Sequence, residues 1–249
     1  MPGVTRHAEP SGVAAVTPLV KSTAGGSASF LVLADDGVRY WCKTLNNCQH
    51  ERVPANEQVV ARLGGLINAP VCHPELVWIP PDLAGWEFRP GRTLEERWAH
   101  GSLALEPVVE AHDLMNRALD DNARRHAGIY ALFDWLGGSD PQWLMVGTDA
   151  EYYSHDHGHY FPGGPAWTPD TLRQAASDAF VLGNPTNDLD GAELERLASA
   201  IEAVTEEEVV VVMQKVPTDW PVTDAELEAL ADFVLDRRAS VAGRLRSYI

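Results

Sequence analysis

Residues 134–161, DWLGGSDPQWLMVGTDAEYYSHDHGHYF, constrain this chain more than any other stretch. Trp143-Leu144-Met145-Val146 reads as a strand, Gly147-Thr148-Asp149-Ala150 as a turn and Glu151-Tyr152-Tyr153-Ser154 as the returning strand. Antiparallel strands fold back on themselves, so Gln142, before the first, and Asp156, after the second, come to one end of the hairpin. Two oxygen-bearing side chains there form a seat for a hard divalent cation. His155, His157 and His159 alternate, and on an extended strand they would share one face. That pattern opens a rival reading, a metal-dependent hydrolase built on the HDHGH cluster.

The segments before the hairpin are mostly strand. Val13 to Val20, Phe30 to Leu33 and Val38 to Lys43 are three apolar, β-branched runs, with Asp36-Gly37 a tight turn between the last two. Ser22 to Ser27 is a small-residue turn. Such a turn, with Gly25, Gly26 and Ser27, lets backbone N–H groups approach a phosphate, although a plain hairpin loop has the same composition. After Pro54, the apolar residues Ala55, Val59, Val60, Leu63, Leu66 and Ile67 recur at helical spacing. Glu57 falls early in that helix, either as a dipole-compensating acid or as a partner for Lys43 at the end of the third strand. Val71 to Ile79 reads as a strand. Asp82 to Ser102 reads as a loose hinge.

The rest is mostly helix: Leu105–Leu119, Ala123–Leu136, Thr168–Ser177, Leu189–Val204, Glu206–Lys215 and Asp224–Tyr248. Thr205 to Glu208 and Thr223 to Glu226 read as helix starts, the second as a capping box. The predicted class is α+β and bilobal, with a small strand-rich N-lobe and a larger helical C-lobe. Residues 1–12 are expected to be a flexible tail, and 13–249 a single domain, divided into 13–88 and 89–249. A ligand would lie between the two parts.

Composition narrows the function. With 249 residues and 45% hydrophobic content, the chain can bury a sizeable core. A net charge of −17 argues against nucleic-acid and anionic-membrane partners. No run approaches the roughly 20 apolar residues of a membrane helix. MPGVTRHAEPSG lacks the apolar core of a secretory leader, so a cytoplasmic location is the default expectation. Cys42, Cys48 and Cys72 are odd in number, with no CxxC, so disulfides are not expected, and with His50 and His73 they match no zinc-finger spacing.

Several of these runs resemble the HipA-like kinases, and more distantly the type II phosphatidylinositol 4-kinases. Gly25-Gly26 falls where those proteins carry a phosphate-covering loop. Tyr40-Trp41-Cys42-Lys43 followed by Asn46-Asn47 is similar to their strand ending in the ATP-binding lysine and two asparagines. Asn56-Glu57, with Leu66-Ile67-Asn68-Ala69-Pro70-Val71, resembles their "NE…LG-small-Pro-Val" run. Ser154 to Phe161 is similar to "IDHGHAF", whose aspartate holds Mg²⁺. The likeness spans about residues 16–165 and implies a protein-kinase-like fold, ATP and Mg²⁺ as cofactors, and a protein or small-molecule hydroxyl as acceptor. It also implies that Lys43 contacts phosphates, Glu57 braces Lys43 and Asp156 binds the metal.

The catalytic loop departs from the resembled pattern. Where the family reads like "NTDRHPGNLL", this chain has Gly138-Ser139-Asp140-Pro141-Gln142-Trp143-Leu144. In a shortened loop, Asp140 takes the catalytic position and Gln142 the place of the metal-binding Asn. Pro141 is expected to keep Asp140 extended. Asp121 and Asp134 are the other acids within sequence reach of the cleft, and Asp121 to His126 superficially resembles "NTDRH" but lies too early. A loop degraded this far also fits a pseudokinase, which binds nucleotide or a partner and transfers nothing.

Overall fold

The computed structural model describes residues 3–6, 10–21, 26, 28–119, 121–147 and 150–249. Five strands close into a barrel: β1 (Val13–Lys21), β2 (Phe30–Ala34), β3 (Arg39–Lys43), β7 (Arg97–Leu103) and β4 (Pro74–Ile79), hydrogen-bonded in the order β1-β2-β3-β7-β4. Every neighbouring pair is antiparallel except β4 with β1, which closes the barrel in parallel. Closure leaves the barrel without a free edge. Its interior is filled from alternate positions by Phe30, Val32, Tyr40, Cys42, Val77, Ile79 and Ala99. At Gly101 a Cβ would stand 2.6 Å from the Val77 side chain, so this strand crossing demands glycine.

β5 (Glu87–Arg89) and β6 (Arg92–Thr93) form a hairpin between β4 and β7. Its Phe88 enters the barrel core against Phe30, ring centroids 5.2 Å apart. The segment 82–102 is therefore not a loose hinge. It carries this hairpin and then β7, which lies between β3 and β4. Trp, Pro and Gly disguise the strands locally, and only pairing with distant partners fixes them. The strand-rich part accordingly continues to Leu103.

Helix α1 (Val53–Leu66) joins β3 to β4 and packs against β4 and β7. Beyond the barrel, β8 (Val108–Ala111), β9 (Gln142–Val146) and β10 (Glu151–His155) form a second sheet in the order β10-β9-β8. The β9–β10 hairpin has the predicted register, with His155 opposite Gln142 and Ser154 opposite Trp143, although Thr148 and Asp149 of its turn lie outside the described residues. The helix expected over Leu105–Leu119 is replaced by β8 and turns. Val108 to Ala111 pairs with Val146 to Trp143, a long-range partner that local periodicity does not reveal.

Helix α2 (Asn122–Trp135) is buried along most of its length, between β10, α4 (Gly191–Ala203) and α7 (Arg238–Arg246). α3 (Pro169–Ala175), α5 (Glu206–Gln214) and α6 (Asp224–Asp236) complete the helical part. Capping boxes start α3, α5 and α6, as Thr205–Glu208 and Thr223–Glu226 suggest. The single helix expected over Asp224–Tyr248 divides at Arg237, which points inward. Arg237 is fully buried and donates to the carbonyls of Trp135, Ala175, Ala176, Asp178 and Asp134, and to the Asp134 carboxylate. Arg244 holds the same carboxylate at 2.7 and 2.9 Å. Residues 3–6 lie against α6: Val4 is buried, and Arg6 pairs with Asp224. Among the described residues no helix is long and apolar enough to cross a membrane.

Replacing Arg237 with Met strands several buried carbonyls and leaves Asp134 with one guanidinium. The expected loss is about 3–5 kcal/mol, read as a lower urea midpoint at unchanged slope. An unchanged midpoint contradicts the bridging role.

Candidate functional site

β3 delivers Lys43 to the end of the barrel, where α1 begins. Pro54 starts that helix, and Asn56 and Glu57 occupy its second turn. Glu57 thus lies outside the first turn and is buried, so it does not serve as a surface acid offsetting the helix dipole. Its carboxylate bonds Lys43 Nζ and accepts the backbone N–H groups of His157 (3.0 Å) and Gly158 (3.1 Å). Lys43 Nζ also donates to Asp156 Oδ1 at 2.6 Å. A strand, a helix and a loop, separated by up to 113 residues, thus meet on one ammonium group.

Asn56, which the sequence singles out only as part of a motif, has a defined task. Its Nδ2 donates to the carbonyls of Gly158 and Tyr160, and its Oδ1 accepts from Trp167 Nε1 at 2.9 Å. Asn56 and Glu57 therefore bind the acceptors and donors of one loop from adjacent positions. Gly158 permits the approach, because a Cβ there would stand 2.7 Å from Val53 Cγ1. Arg52 extends the clamp, donating to the Trp167 and Pro221 carbonyls and to Glu226. The sequence carries no local signal for this task, because the partners of Asn56 lie 102 to 111 residues away.

Burial alone would lower the lysine's pKa, but the Glu57 and Asp156 carboxylates raise it above the ordinary lysine value. Burial opposes ionisation of Asp156, yet Lys43 holds it down to about 2. Burial pushes Glu57 up, against the pull of Lys43. Asp156 is therefore an ionised oxygen donor at neutral pH.

The three histidines do not share a face. Asp156 takes a left-handed conformation, φ 54°, and ends the strand, and His157–His159 forms a short 3₁₀ turn. His157 is buried, its Nε2 2.9 Å from Ser154 Oγ and its ring edge-on to Tyr160. Among the described residues, no three His, Cys, Asp or Glu side chains are grouped to hold a metal ion, and the hydrolase reading is not favoured. Cys42, Cys48 and Cys72 are free thiols.

Asp140 and Gln142 lie in the turn from α2 into β9. Gln142 Nε2 donates to Asp140 Oδ2 at 3.2 Å, and Gln142 pairs with His155, one residue from Asp156. Asp140 is exposed and left-handed, φ 50°, not extended as Pro141 led one to expect. The chain must reverse sharply here, and the turn imposes this conformation over the pre-proline preference. Among the described residues, the hydrogen bonds of the Lys43 trio do not extend to Asp140 or Gln142. Asp134 is committed to Arg237 and Arg244. Asp121 precedes the opposite end of α2, about 20 Å from the loop at 1.5 Å per residue, and its side chain makes no capping hydrogen bond. Gly26 is an exposed turn residue near Gln49, and Gly25 and Ser27 lie outside the described residues.

No family model matches the chain, and no curated protein sequence matches it. Among solved structures, the Helicobacter pylori proinflammatory kinase CtkA aligns over 91% of this chain and 94% of its own, with a TM-score of 0.59 at 9% identity. The chain has an α+β protein-kinase-like fold. The Golgi casein kinase is a looser overlap, TM-score 0.47 at 10% identity over 98% of this chain and 72% of its own. The same enzyme with Mn/ADP bound gives 0.48 at 9%, over 98% and 74%. The likeness to CtkA shows the fold and does not single out the HipA-like family.

Buried histidines give the molecule an acid sensitivity. His126, fully buried in α2, is lowered to about 4 by burial and then by Arg117. It stays neutral in the fold, whereas the unfolded chain protonates near 6.5. The unfolded state therefore binds more protons between those values, and stability falls as pH drops from about 6.5 toward 4. His126→Leu should flatten the pH dependence of urea unfolding by up to about 1.4 kcal/mol per pH unit in that window. Parallel profiles for the two proteins would contradict this.

Proposed function

We propose that this chain is an ATP- and Mg²⁺-dependent phosphotransferase acting on a protein or small-molecule hydroxyl. The observation that carries the reading is the 2.6 Å contact of Lys43 Nζ with Asp156 Oδ1, braced by Glu57, within a protein-kinase-like fold. In this reading residues 13–249 form one kinase-like domain. The barrel, through Leu103, is one lobe and the remainder is the other.

Phosphoryl transfer needs positioning and charge neutralisation more than covalent chemistry. Lys43 contacts the α- and β-phosphates, and Glu57 fixes where its ammonium group points. The resemblance assigns phosphate contact to Gly25, Gly26 and Ser27, of which Gly26 is among the described residues. An ionised carboxylate at Asp156 and the amide oxygen of Gln142 are hard oxygen donors, a set that suits Mg²⁺. Gln142 fits because its amide nitrogen is turned to Asp140, which leaves its carbonyl for a cation. When bound, Mg²⁺ neutralises charge on the β- and γ-phosphates.

Asp140 is exposed beside Gln142, where an acceptor can reach it. It orients the acceptor hydroxyl and takes its proton. The hydroxyl oxygen forms a bond to the γ-phosphorus as the bond from that phosphorus to the β–γ bridging oxygen breaks, and ADP leaves with that oxygen. Nucleotide binding without transfer is the alternative, and turnover separates the two.

Mg²⁺-ATP at 100 times its dissociation constant should raise stability by about 2.7 kcal/mol, seen as a higher Tm. Asp156→Asn should abolish most of that shift and of phosphate transfer to a hydroxyl acceptor. Undiminished transfer by this variant overturns the reading. Asp140→Asn should keep the Tm shift while ATP turnover falls at least roughly 100-fold, the scale of a general base. Equal turnover removes Asp140 from its role.

A further inference from the structure

The three-stranded sheet has one satisfied edge and one open edge. Antiparallel partners alternate between hydrogen-bonded and non-bonded pairs, so every second residue of an edge strand turns its backbone groups outward. On β10 the outward Ser154 N–H donates to the Pro70 carbonyl at 2.8 Å. On β8 the phase is set by Gly147, whose N–H donates to the Pro107 carbonyl opposite it. Val109 and Ala111 therefore bond to β9, and the N–H and C=O groups of Val108 and Glu110 face away from the sheet. Among the described residues no strand pairs with that side of β8, and no turn or loop bonds those groups.

The side chains beside this edge differ on the two faces. Val109 and Tyr152 both stand opposite Met145, so all three share a face. The chain after β8 folds onto that face: Met115 N–H donates to Tyr152 Oη, and Asn116 Nδ2 reaches Met145 Sδ. Val109 and Met115 are 61% and 62% exposed, and Leu119, which closes a turn onto Asn116, is 55% exposed. Glu110 points to the other face. Residues 105–115 hold Glu106, Glu110 and Asp113 and no lysine or arginine. Glu106 pairs with Arg39, whereas Glu110 and Asp113 are exposed and have no ion pair among the described residues. The edge also leads to the candidate site. Ala111 stands opposite Trp143, so β8 ends where β9 begins at Gln142 and where β10 reaches Asp156.

An open row of strand donors and acceptors is matched by extended backbone, and period-two side chains match its two faces. We propose that β8 is the docking strand for a protein acceptor. An extended segment alternating apolar and basic residues adds to it as a fourth strand, its apolar side chains against Val109 and Met115 and its basic ones toward Glu110. Residues flanking that segment carry the hydroxyl to Asp140. This rests on the phosphotransferase reading and narrows its acceptor to a polypeptide. The added strand lies two spacings of about 4.8 Å from β9, a gap that about three extended residues span. A second copy of this chain is a poor occupant, because pairing β8 with β8 sets two Glu110 carboxylates along one short seam.

Fluorescence anisotropy on the full chain tests this with a labelled peptide of alternating valine and lysine, carrying a serine three residues outside each end of the repeat. The control has the same composition with its valines and lysines in separate blocks. The alternating peptide should bind, and the blocked one should bind several-fold more weakly. Glu110→Lys should weaken the alternating peptide roughly 3- to 10-fold, the scale of a cross-strand charge contact turned repulsive, with Mg²⁺-ATP affinity unchanged. Glu110→Pro removes an outward N–H but no bond to β9, and should give at least the same loss. In phosphate transfer to the serines, Glu110→Lys should raise KM at constant kcat. No binding at millimolar peptide overturns the proposal, as do equal binding of the blocked peptide, which is charge attraction alone, and undiminished binding by both variants. A dimer of the free chain that Glu110→Pro dissociates gives the edge to a second copy and overturns it too. Peptide binding without any Mg²⁺-ATP binding is a different pattern: it sinks the phosphotransferase reading, and with it the peptide's role as acceptor.

Discussion

A single buried ammonium group shared by two carboxylates is the constraint on which the rest depends. Lys43, Glu57 and Asp156 come from the barrel, α1 and the loop after β10, and each is wholly or largely removed from water. A buried charge without its partner is far costlier than an exposed one. The three elements are therefore obliged to meet in one arrangement. Removing Lys43 leaves two uncompensated carboxylates where several segments converge.

Helix α1 makes that arrangement rigid. Its second turn reads the backbone of the 157–160 loop in both senses, Glu57 taking N–H groups and Asn56 supplying them to carbonyls. Trp167 locks Asn56, and Arg52 locks Trp167 to α6. Only twelve residues separate Asp156 from the first residue of α3, and much of that path is short turns tied to α1. The loop carrying Asp156 thus has little freedom to swing away from Lys43. At the far side, Arg237 and Arg244 fix Asp134, so the end of α2 is anchored just before the turn that carries Asp140 and Gln142.

Much of this was legible in the sequence where the signal is local. The three strands before Lys43, the helix after Pro54, the 142–155 hairpin and the capped helices near Thr205 and Thr223 each follow from spacing or turn chemistry. What stayed hidden was long-range. β7 is disguised by Trp, His and Gly and identified only by its neighbours β3 and β4. β8 is four residues long and exists because β9 offers an edge. The split of the last helix follows from Arg237 reaching carbonyls some sixty to one hundred residues away. In the site, the pairing of Lys43 with Glu57 and Asp156 was anticipated through resemblance, not periodicity. A shared histidine face requires an extended strand; Asp156 turns left-handed, and His157 and His159 shape the loop that follows it.

The most direct measurement is diffraction from crystals grown with Mn²⁺ and a non-hydrolysable ATP analogue. The account predicts an anomalous peak about 2 Å from an Asp156 carboxylate oxygen, with α- or β-phosphate oxygens within hydrogen-bond reach of Lys43 Nζ. Phosphate and metal density elsewhere on the molecule, with the Lys43–Asp156 contact untouched, would contradict it.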